Sequence, residues 1–151
     1  MHMTSEPCFL DSNVLIYSVV DSDIQKRAIA SEIIKKGLAG SLALYLSPQV
    51  LLEFYSIATN TKKMRIPMAG ADAKRLIEII ASSRIKLVYP GGKTLGKLLE
   101  LIGKGKPVGS RIFDIYIAAT MVEHGIKRIY TENITDFHGL KEIEPINPFT
   151  K

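Results

Sequence analysis

Short apolar runs alternate with helix-length stretches along this chain, and no other feature limits its possible folds so strongly. "CFLD", "LALYLS", "RIKLVY", "KRIYT" and "KEIEPIN" read in turn as strands. Between them "SNVLIYSVV", "DIQKRAIASEIIKKGLAG", "QVLLEFYSIATN", "AGADAKRLIEIIASS", "GKTLGKLLELIGKG" and "RIFDIYIAATMVEHG" read as helices. In the second helix Ile24, Ala28, Ile29, Ile33 and Ile34 are expected on one side. Gly37 and Gly40 bracket its end, where a left-handed cap suits glycine. Ser47-Pro48 offers a cap followed by proline at the first position of the third helix. Strands alternating with helices build a parallel sheet covered on both faces. The expected fold class is therefore α/β, a three-layer α/β/α sandwich with a central, mainly parallel sheet of four to five strands. Residues 1–151, 46% of them hydrophobic, are expected to form one domain with one core.

In such sheets ligands gather beyond the carboxyl ends of the strands, near the point where strand order reverses. Asp11 follows the first strand in "FLDSNVLIY" and Asp136 follows the fourth in "TENITDF". Two more acids are out of character with their helices. Asp114 shares a helical face with Ile117, Ala118 and Met121, and Glu53 is the sole charge between Leu46 and Lys62. Each acid has an ordinary reading. Asp11 can cap a helix, Asp114 can complement a helix dipole, Glu53 can pair with a lysine, and Asp136 can stabilise a turn. Together those readings strain, because converging carboxylates repel by roughly 4 kcal/mol per close pair at an effective dielectric of about 20. Either raised proton affinities or a cation must relieve that repulsion. Oxygen ligands with no Cys or His at ligand spacing suit Mg²⁺ or Mn²⁺. Such an ion polarises a phosphoryl oxygen and lowers the pKa of a bound water, which points to phosphate chemistry.

The remaining features mostly exclude. Cys8 is the only cysteine, so there is no internal disulfide or cysteine-based zinc site, and it reads as a core residue. His2, His124 and His138 lack ligand spacing. "YPGGKT" imitates the end of a phosphate-binding loop, but Leu87 stands where its first glycine is required. "GKGKPVGS" reads as a flexible basic loop. No apolar run reaches the ~18 residues of a membrane span. "MHMTSEP" does not begin a signal peptide, so no membrane association and a cytoplasmic location are expected. A formal charge of +5 favours polyanionic partners modestly.

Four stretches in order carry a resemblance: "LDSNVLIY", Glu53 in "LLEFY", Asp114 in "DIYIAA", and "TENITDF". Spanning Asp11 to Phe137, the set resembles the PIN-domain nucleases, particularly the VapC-type toxin endonucleases of prokaryotes. The resemblance implies an α/β/α fold whose acids bind one or two divalent ions and hydrolyse RNA phosphodiesters through a metal-activated water. On that basis Asp11, Asp114 and Asp136 would hold Mg²⁺ or Mn²⁺, and Glu53 would do so directly or through water. Asn13, Thr131 and Asn133 would support the ligands or position a phosphate. Lys62, Lys63, Arg65, Lys93, Lys97, Lys104, Lys106 and Arg111 are candidates for an RNA path, with Arg111 foremost, one turn ahead of Asp114. The implied partners are RNA, an antitoxin protein and a second copy of the chain. Two alternatives stay open: a structure-specific DNA nuclease, and a non-catalytic RNA-binding module of an RNA-processing or ribosome-assembly complex. An aspartyl-phosphate phosphatase is disfavoured, since Asn13 stands where a second aspartate is expected.

Overall fold

A computed structural model describes residues 5–150. At its centre β1 (Cys8–Leu10), β2 (Leu44–Leu46), β3 (Lys86–Leu87), β4 (Arg128–Tyr130) and β5 (Glu144–Ile146) form one sheet in the order β3-β2-β1-β4-β5. Every pairing is parallel, so the α/β expectation is met with five strands and, among the described residues, no antiparallel member. Six α-helices connect them: α1 (Ser12–Tyr17), α2 (Ile24–Ala39), α3 (Pro48–Ala58), α4 (Gly70–Ala81), α5 (Thr94–Gly105) and α6 (Arg111–Glu123). A 3₁₀ turn, Ile134–Phe137, precedes β5.

The chain steps outward from β1 through β2 to β3, then crosses back past β1 to β4. Right-handed crossovers in opposite directions put α1–α4 on one face and α5–α6 on the other. The packing agrees, with α1 against α2 and α3, α3 against α4, and α5 against α6. Strand order reverses between β1 and β4, which locates the crevice at their carboxyl ends.

Burial follows the apolar patterning in most places. Cys8, Phe9 and Leu10 fill β1, and burial pushes the Cys8 thiol up to about 12. On α6, Ile115, Ile117, Ala118, Ala119 and Met121 are all buried, as a helix apolar on nearly every side requires. The expected face of α2 is different in the structure. Ile24 is 81% exposed and Ile29 lies at the surface, while Ala30, Ile34 and Gly37 form the buried stripe. Close approach to the sheet decides this. A Cβ on Gly37 would lie 2.4 Å from Leu44 Cδ1, so small residues must face inward there. Gly40 takes the left-handed cap, with φ at 83°. Ser47 occupies the cap position of α3 without a side-chain capping bond, and Pro48 opens the helix. The third strand is shorter than "RIKLVY" suggested, although the Val88 amide still donates to Leu46 O at 2.9 Å.

Candidate functional site

The ladder between β1 and β4 runs on past Leu10, because the Asp11 amide donates to Tyr130 O at 3.0 Å. That brings Asp11 beside Thr131, a residue 120 positions away. Asp11 is only 5% exposed, and its carboxylate is fully engaged. Oδ1 accepts the Ser12 amide at 2.8 Å, while Oδ2 accepts the Thr131 hydroxyl at 2.8 Å and Asn13 Nδ2 at 3.2 Å. Burial raises the proton affinity of Asp11. The bonds from Thr131 and Ser12 oppose the rise, and the charges of Glu53 and Asp136 add to it. Asn13 is fixed in turn, since its Oδ1 accepts the Glu132 amide at 3.1 Å. The Asn133 amide donates to Thr131 Oγ1 at 3.0 Å. The capping reading of Asp11 therefore holds for Oδ1, while Oδ2 is turned to Thr131 beyond the end of β4.

Glu53 projects from α3 with both oxygens held. Gln49 Nε2 donates to Oε1 at 2.9 Å, and the Ser12 hydroxyl donates to Oε2 at 3.2 Å. Gln49 Nε2 also donates to Phe113 O at 3.1 Å, which ties α3 to the first turn of α6. Asp114 stands in that turn, half-buried. Its carboxyl is pushed up to about 7, first by burial and then by the charges of Asp136, Asp11 and Glu53. All four acids thus share one electrostatic neighbourhood.

Arg111 turns its guanidinium onto main-chain carbonyls: Gly105 O at 3.4 Å, Asp136 O at 3.4 Å and His138 O at 3.1 Å. It braces the 3₁₀ turn that bears Asp136, and its charge lowers the proton affinity of Asp114. Its donors go to the backbone because the end of α5 and the end of the 3₁₀ turn present carbonyls with no helical partner.

A cleft of about 830 Å³ opens at this edge. Asp11, Glu53, Asp114, Asn13 and Asn133 line it, together with the segment between α3 and α4. Asp136 stands outside the lining. Among the described residues no three Asp, Glu, His or Cys side chains close around a single point. Mg²⁺ is bound through carboxylates together with retained waters and substrate phosphate oxygens. The donor set, hard oxygens only, fits the same ion.

Gln49 is a partner of Glu53 that sequence patterning does not single out. A glutamine four residues before a glutamate on one helix face is the only signal it offers.

The PIN-domain family profile matches residues 8–141. The chain belongs to the PIN-domain family. Ribonuclease VapC24 from Mycobacterium tuberculosis is 24% identical over 140 residues, covering 91% of this chain and 95% of its own length. Among solved structures, this PIN domain is similar to VapBC-1 from nontypeable Haemophilus influenzae. That match has a TM-score of 0.65 at 18% identity, covering 95% of this chain and 99% of the other. The M. tuberculosis sarcin-ricin loop cleaving toxin VapC20 matches with a TM-score of 0.59 at 16% identity, covering 82% and 88%. At these identities the structural matches establish the fold.

Proposed function

We propose that this PIN domain is a divalent-ion-dependent endoribonuclease, the toxin of a toxin–antitoxin pair. What supports the reading is that Asp11, Glu53 and Asp114 line one cleft where strand order reverses, with Asp136 near enough for its charge to reach Asp114. The similarity to a curated ribonuclease supports RNA as the substrate, and the toxin–antitoxin complex from Klebsiella pneumoniae, similar in fold at a TM-score of 0.62 and 16% identity, suggests an antitoxin partner.

In this reading Asp11, Asp114 and Asp136 would hold Mg²⁺ or Mn²⁺, and Glu53 would do so directly or through water. The ion supplies Lewis acidity at the phosphoryl oxygen and a water of lowered pKa. The chain's own residues set the geometry. Thr131 and Asn13 orient Asp11, and Gln49 and Ser12 orient Glu53. Asn133 lies on the cleft wall, where it can meet a phosphate. In-line attack leaves a 5′-phosphate and a 3′-hydroxyl. The whole chain works as one unit, paired with a second copy. Among the described residues no helix is long and apolar enough to cross a membrane.

The test is parallel cleavage of single-stranded RNA, single-stranded DNA and flapped DNA, with Mg²⁺, Mn²⁺ or chelator. Cutting of RNA alone, dependent on the ion and leaving 5′-phosphate ends, is the expected result. Preferential cutting of flapped DNA would make the protein a DNA nuclease, and no cutting with no Mn²⁺ binding would make it a binding module.

Gln49→Ala should lower turnover or Mn²⁺ affinity by about 10–100-fold, the usual cost of removing a partner that orients a metal ligand. Circular dichroism should show an unchanged fold. If calorimetry gives the variant wild-type Mn²⁺ affinity and turnover is also unchanged, Gln49 does not position Glu53 for catalysis.

A further inference from the structure

The cations that the sequence offers as an RNA path are sorted by where their charges go. Lys97 and Lys104 are spent on Glu100 and Glu142. Arg111 is turned to carbonyls. Lys63 and Arg65 line the same cleft as Asp11, Glu53 and Asp114, and among the described residues neither enters an ion pair. Two of the other acids on the cleft are neutralised, Glu132 by Lys26 and Asp21 by Arg27. Apart from Asp72 at the start of α4, the unpaired charge lining the cleft divides between the carboxylates of the site and these two cations.

Both cations sit on residues 60–68, which join α3 to α4 without regular structure and are tied by hydrogen bonds towards each end. Asn60 Oδ1 accepts the amides of Lys62 at 2.8 Å and Lys63 at 3.1 Å. The Met64 amide donates to Asn60 O at 3.0 Å, and the Met68 amide to Ala58 O at 2.8 Å. Along the cleft this wall alternates cation and apolar side chain: Lys63, Met64, Arg65, Ile66. Ile66 is 69% exposed. A single nucleic-acid strand has the matching alternation of a phosphate and an apolar base face. A duplex hides those faces in its stack, and an acidic peptide has no flat apolar face at each charge. A cleft of about 830 Å³ has room for more than the one phosphate under attack.

We propose that Lys63 and Arg65 grip the phosphates flanking the scissile bond of a single-stranded RNA, while Met64 and Ile66 receive its base or ribose faces. This assignment rests on the ribonuclease reading. It adds which wall of the cleft holds the substrate.

The experiment measures binding of a fluorescently labelled single-stranded RNA to the full-length Asp114→Asn chain across a KCl series. Lys63→Ala/Arg65→Ala in that background should weaken binding. It should also make the slope of log K against log[salt] shallower by about 1.4, at about 0.7 for each phosphate no longer neutralised. Arg65→Lys, which keeps the charge, should retain most of the slope. In the cleaving protein the double variant should raise KM while Mn²⁺ affinity stays at the wild-type value. An unchanged salt slope overturns the assignment and leaves this wall to a protein partner. Loss of Mn²⁺ binding overturns it too, since the segment would then be supporting the acids. A wild-type chain that cuts no RNA, but whose RNA binding still shows the Lys63/Arg65 slope, would sink the ribonuclease reading and leave the grip standing.

Discussion

Asp114→Asn is expected to cut RNA at least about 100-fold more slowly than the wild type and, in chelator at neutral pH, to melt at a higher temperature. Both effects have one origin. Burial and the charges of Asp136, Asp11 and Glu53 push the Asp114 carboxyl up to about 7, so its ionised form is disfavoured in the folded chain. Its unfolded value is near 3.8. The folded state therefore binds the proton more tightly, and the stability gained from this group is complete below about pH 4. It is lost as pH rises towards 7, and no further loss comes from Asp114 above that. Asparagine keeps the shape and removes the charge. Ion-free wild type should lose melting temperature between pH 4 and 7, and the variant should lose less. Thermal denaturation in chelator at a series of pH values reads this directly. A variant that cleaves at the wild-type rate would remove Asp114 from the chemistry. Asp11 is a poorer place for the same test, because its Oδ1 also caps α1, and losing a cap costs about 1 kcal/mol by itself.

The second large effect is the reverse titration. A divalent ion present at about 100 times its Kd stabilises a folded chain by about 2.7 kcal/mol, or roughly 5–10 °C in melting temperature for a protein of this size. Mn²⁺ should raise the wild-type midpoint by that amount at pH 8. The gain should be smaller at pH 5, where a proton on Asp114 competes with the ion. The Asp114→Asn chain should respond weakly at either pH. Scanning calorimetry with Mn²⁺ titration decides the matter, and a wild-type midpoint indifferent to Mn²⁺ at pH 8 would dispose of the metal centre.

The parts of this site that are legible in the sequence are the ones that violate a rule. A carboxylate on an apolar helix or at the end of a buried strand is costly, so Asp11, Glu53 and Asp114 stand out from their neighbours in the sequence itself. Gln49 violates nothing, because a neutral polar residue at a helix start is ordinary. Its importance lies in what it touches. The parallel sheet is legible from the alternation of elements. The inward face of α2 is not, because isoleucines are spread around that helix and close packing on Leu44 selects Ala30 and Gly37. Charge counts likewise cannot tell Lys63, which lines the cleft, from Lys104, which binds Glu142. Partner choice is a three-dimensional property.

The bond between Thr131 and Asp11 joins residues 120 positions apart, and it depends on β4 lying in register against β1. Strand β1 is made well before the neighbour that leads to Thr131. At about 5–20 residues per second, roughly 6–24 s separate the synthesis of Asp11 from that of the hydroxyl that orients it. During that interval the growing chain has Asp11 and Glu53, then Asp114, but no finished crevice. The Asp11 carboxylate therefore stays without the hydroxyl that orients it until β4 has been made and paired.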